Sequence, residues 1–70
     1  MDHKALERKC ESLRNRLTAR VYGMVDTDPN KTFYQSLASV VEDIRVDLAA
    51  GYDLDAKHVE ALLEPIEATL

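Results

Sequence analysis

The sequence predicts an all-α domain of three helices: a long antiparallel hairpin over about residues 3–24 and 29–50, then a shorter helix over about 56–69. Three observations carry this. Apolar residues recur at three- and four-residue spacing in three separate segments, and no segment alternates with the period of two that a strand needs. Gly23, Pro29 and Gly51, three of the four Gly and Pro residues, fall near or between the ends of those segments. Asp28 and Asp55 stand where two helices would begin, and a short carboxylate there accepts from a free amide of the first turn.

In the first segment, Leu6, Cys10, Leu13, Leu17, Val21 and Met24 lie on one stripe of a helical wheel. Glu7, Arg8, Glu11, Asn15 and Thr18 lie outside it. Pro29 opens the second segment at the position where its missing N–H costs nothing. The stripe there is Phe33, Leu37, Val40, Val41, Ile44 and Leu48, with Tyr34 at its margin. Gly51 follows as the residue that turns the chain out through the left-handed region. The third segment has Asp55 as N-cap, a hydrophobic staple between Leu54 and Val59, and a stripe of Val59, Leu62, Leu63, Ile66 and Leu70. Pro65 interrupts that pattern. It removes a hydrogen bond to Ala61, at a cost of about 3 kcal/mol in a regular helix, so a kink or a break at Glu64 is expected.

Residues 1–70 form a single domain on this reading, and a chain of that length buries only about 60% of the surface its unfolded form exposes. Small scaffolds usually add a disulfide, a metal or a second copy. Cys10 is the lone cysteine, and no Cys/His cluster supplies four zinc ligands. No apolar run approaches the roughly 20 residues of a membrane helix. The single cysteine and the lack of a signal-peptide pattern point to a cytoplasmic setting.

The net charge is −4, unevenly spread: residues 1–22 hold six basic and three acidic side chains, residues 23–70 three basic and ten acidic. Lys9, Arg16 and Arg20 fall within about 40° of one another beside the first stripe. They read either as a contact surface for an acidic protein or phosphates, or as ion-pair donors to Asp43, Asp47, Glu60 or Glu67 on the other helices. An acidic domain is a poor reader of DNA, because phosphate attraction dominates such binding.

Other candidate sites are weaker. Asp26-x-Asp28-x-Asn30 opens like a calcium loop, but Lys31 replaces the required Gly and Leu37 the required Glu, so it reads as turn and capping chemistry. Cys10 lies in the apolar stripe and reads as a buried thiol, although Lys9 and Arg14 would lower its pKa if it were exposed. His58 reads as a surface residue and His3 as part of a first turn prone to fraying. Glu42, Asp43 and Asp47 read as a solvated face. Val46 and Tyr22 point away from their stripes and suggest a second contact surface; Tyr is enriched among interface anchors.

No catalytic constellation, cofactor motif or metal site stands out. The expected function is therefore that of a small non-enzymatic regulatory or adaptor protein, an inhibitor for example. It binds an acidic or helical protein surface through Lys9, Arg16, Arg20, Tyr22 and Val46. It acts as a homodimer that extends the stripe of the first or second helix. The alternative is a nucleic-acid-binding regulator using the basic first helix.

Overall fold

Three helices follow one another in a computed structural model that describes residues 3–70: α1 (His3–Tyr22), α2 (Pro29–Ala49) and α3 (Ala56–Ala68). Of the domain expected over residues 1–70, residues 1 and 2 lie outside the described part. There is no strand among the described residues. The all-α three-helix reading is correct, and each boundary lies within a few residues of its expected place.

The caps act as the residue types require. Asp28 Oδ1 accepts from the Asn30 amide at 2.8 Å, with Pro29 as the first helical residue. Asp55 Oδ1 accepts from the Lys57 amide at 3.0 Å. At the end of α2, Gly51 takes φ +86°, a conformation that disfavours any side chain with a Cβ. Its amide donates to the Leu48 carbonyl, and the Tyr52 amide donates to that of Asp47. This is the paired Schellman closure that a left-handed residue permits.

α1 is the centre of the packing. Leu6, Cys10, Leu13 and Leu17 are all buried, and they sit between Val41 and Leu48 of α2 and Val59, Leu63 and Ile66 of α3. Tyr34, Leu37, Ala38, Ile44, Leu54 and Leu70 pack around that cluster. α1 and α2 form the close hairpin, while α3 touches α1 more than α2. The result is elongated, 39 × 21 × 14 Å, with a radius of gyration of 12.5 Å. A rounder chain of this length would have about 11 Å.

Two expectations need correction. The break at Glu64 does not occur: α3 runs unbroken through Pro65 to Ala68. Pro65 is exposed, so its ring displaces no packed neighbour, while Leu63 and Ile66 on either side are buried. Burying one such side chain stabilises by about 1.5–3 kcal/mol, comparable with the roughly 3 kcal/mol that an internal proline costs.

The second correction concerns the core. Phe33, Val40 and Leu62 belong to the apolar stripes by spacing, yet they stand 50%, 47% and 44% exposed. The apolar arc of α2 is wider than α1 can cover. α3, with only 13 residues, lies mainly along α1 and leaves that edge open.

Candidate protein-interaction surface

Ion pairs fix which edge of each helix faces which neighbour. Arg14, on one edge of the α1 stripe, donates from Nη1 to Glu42 Oε2 at 2.8 Å. Lys9, on the opposite edge, pairs with Glu67 of α3 at 2.8 Å. The Lys9 edge of α1 therefore borders α3, and the Arg14 edge lies on the far side of the hairpin. On a wheel of about 100° per residue, Val40 and Phe33 lie across the α2 stripe from Glu42. They border the side where α3 lies. By the same reasoning Leu62 lies across the α3 stripe from Glu67, toward α2. Phe33 and Val40 thus lie on the α3 side of α2, and Leu62 on the α2 side of α3; all three are about half exposed, with half-buried Leu37 and Ile44 beside them on α2.

Basic residues expected to form a contact face are largely engaged within the chain. Glu67 raises the Lys9 pKa by accepting its hydrogen bond, which outweighs the opposing effect of burial. Arg20 donates from Nη2 to the Leu70 carbonyl at 3.2 Å, and its guanidinium lies 5.8 Å from the centroid of the Tyr34 ring. Arg16 is exposed and has no ion-pair partner among the described residues. Of the three cations that a phosphate-reading face would use, two already hold α3 and α2 against α1.

Tyr22 and Val46 are exposed, at 87% and 48%. They do not form one surface. In the antiparallel hairpin Tyr22 lies at the end where α1 turns into α2. Val46 lies far down α2, about 18 Å beyond Tyr34 at 1.5 Å per residue.

Glu42 departs from the solvated face expected for it. Both its oxygens are occupied: Arg45 donates from Nε to Oε2 at 2.9 Å and from Nη2 to Oε1 at 2.6 Å, and Arg14 also reaches Oε2. The bidentate fork of Arg45, then Arg14, lowers the Glu42 pKa from 4.5 to about 2. Arg14 is four residues from Cys10, and nothing in the spacing of Arg14 and Glu42 announced the pair. Only the antiparallel register brings them together.

Other titratable candidates have structural roles. Cys10 is fully buried, and burial raises its thiol pKa despite Arg45 and Lys9 nearby. That keeps it a protonated core residue rather than a nucleophile. His3 is tied in, its Nε2 lying 2.9 Å from the Leu54 carbonyl, which links the first turn of α1 to the lead into α3. His58 is exposed. Asp26 pairs with Lys31, whose hydrogen bond lowers the Asp26 pKa, and Asp28 caps α2, so the calcium-like stretch is committed to turn chemistry.

Among the described residues, no group of three or more His, Cys, Asp or Glu side chains converges as a metal site would. The groove between α1 and α2, about 330 Å³, is lined by Thr18, Val21, Gln35, Ala38 and Ser39 and gathers no acid, base or thiol. Among the described residues, no helix is long and apolar enough to cross a membrane. The chain matches no known family model, no curated protein and no solved structure.

Proposed function

We propose that this chain is a non-enzymatic regulatory or adaptor protein that works by presenting helical faces to other proteins, and that it does so as a homodimer. The observation that carries the reading is the half exposure of Phe33 and Val40 on one edge of α2 and of Leu62 on the facing side of α3. Large apolar side chains grouped on one side of a small domain mark contact surfaces. A chain of this size also gains from further burial, since its own core is marginal. The exposed end of α1, with Tyr22, and the free Arg16 supply contacts for an acidic or helical partner once the dimer has formed.

Sedimentation equilibrium at micromolar concentration tests the homodimer. The expected species has twice the 7.9 kDa mass of one chain. A monomer throughout that range would overturn the proposal.

A further inference from the structure

The open edge of α2 has a spacing that reads the same in both directions. Phe33, Leu37, Val40 and Ile44 are separated by four, three and four residues. A twofold contact is self-complementary: if residue i meets residue j, then j meets i. Antiparallel packing of two copies of this edge about the midpoint between Ala38 and Ser39 sets Phe33 against Ile44 of the second copy. The same register sets Leu37 against Val40. Alternating three- and four-residue spacing is also what lets two helices interlock at a shallow angle.

Charge selects the same arrangement. Asp43 and Asp47 lie along the outer rim of this edge, both toward the C-terminal half of α2. The N-terminal half of that rim carries Pro29, Thr32 and Ser36 and no charge. With the free edges abutting in antiparallel, the two acids of one copy meet the uncharged rim of the other, close to its helix N-terminus. That terminus carries partial positive charge and favours carboxylates. A head-to-head arrangement would instead bring the acids of the two copies together.

We infer that the α2 edge of Phe33, Leu37, Val40 and Ile44 is a twofold, antiparallel docking surface for a second copy of this chain. This rests on the homodimer proposed above and names its interface. Each copy lays this edge of α2 against the same edge of the other, and the two hairpins join into one larger bundle.

Sedimentation equilibrium of four proteins tests it: wild type, Val40→Glu, Ser36→Lys and Ser36→Asp. Val40 and Ser36 are exposed in the single chain, so all variants should keep wild-type helicity by circular dichroism. Val40→Glu should weaken the dimer at least tenfold. Ser36→Lys faces Asp43 of the second copy across the rim and should tighten it by about two- to tenfold, since the twofold axis repeats the pair. Ser36→Asp should weaken it by a similar factor, and both rim effects should shrink in high salt. A wild-type dimer indifferent to Val40→Glu, or with no opposite response to the two Ser36 variants, overturns this interface and leaves the homodimer standing. A wild-type monomer overturns both. Should Val40→Glu lose helicity, the two Ser36 variants decide the matter alone.

Discussion

Glu42 joins two helices through one carboxylate, and its titration follows from that. The group is ionised in the folded chain down to about pH 2, against an ordinary value of 4.5, because Arg45 and Arg14 both donate to it. A depressed folded pKa stabilises above the unfolded pKa, and that contribution disappears as pH falls through the folded one. Denaturation midpoints of wild type and Glu42→Gln should therefore differ by a constant amount from pH 7 to about pH 5. The difference should close between about pH 4.5 and pH 2. A difference that stays the same across that range would mean that Glu42 acts through shape rather than charge. Cys10 shows the opposite balance at the same scale. Cations lie nearby, yet burial governs the thiol.

At the scale of the helix, the sequence was most legible where one residue decides one feature. Asp28, Asp55 and Gly51 each control a terminus through their own backbone or side chain, and each is found in that role. Helical periodicity located all three stripes. It did not locate their width, because how much of an arc is covered depends on the length and placement of the neighbours. Phe33, Val40 and Leu62 have the right period for a core and lack a helix above them. The Arg14–Glu42 pair was illegible for a related reason, since its partners are 28 residues apart and meet only through the hairpin register.

Pro65 marks a different limit. The spacing predicts a break there, yet α3 continues through it, with buried Leu63 and Ile66 on either side holding the helix in place. The proline's local penalty should still be recoverable. Pro65→Ala restores an N–H that can donate to the Ala61 carbonyl and removes the ring's clash there, on an exposed face where nothing else changes. The expected gain is about 1–3 kcal/mol. In a domain of this size each kcal/mol raises the melting temperature by about 4–8 °C. Thermal unfolding followed by circular dichroism checks this, and an unchanged melting temperature would show that α3 has already relaxed around the ring.

For the molecule as a whole, the elongated shape and the open apolar edge of α2 belong to one packing problem. α1 spends its stripe on both neighbours, and so α2 and α3 are left with apolar edges that meet only loosely. Stability should then depend on how many chains are present. When a folded dimer unfolds to two chains, mass action favours the folded state at higher concentration. Each tenfold rise in concentration adds about 1.4 kcal/mol per dimer. Set against the unfolding entropy of two 70-residue chains, that shifts the midpoint by about 5 °C, and by less where the dimer dissociates before it unfolds. Melting curves from about 5 to 500 µM should show such a drift for wild type, and Val40→Glu should flatten it. The gap between the two curves should widen with concentration, because Val40 contributes little to the single chain at half exposure and acts mainly through the dimer. If Val40→Glu instead lowered the midpoint equally at every concentration, Val40 would be supporting the fold of one chain rather than the union of two.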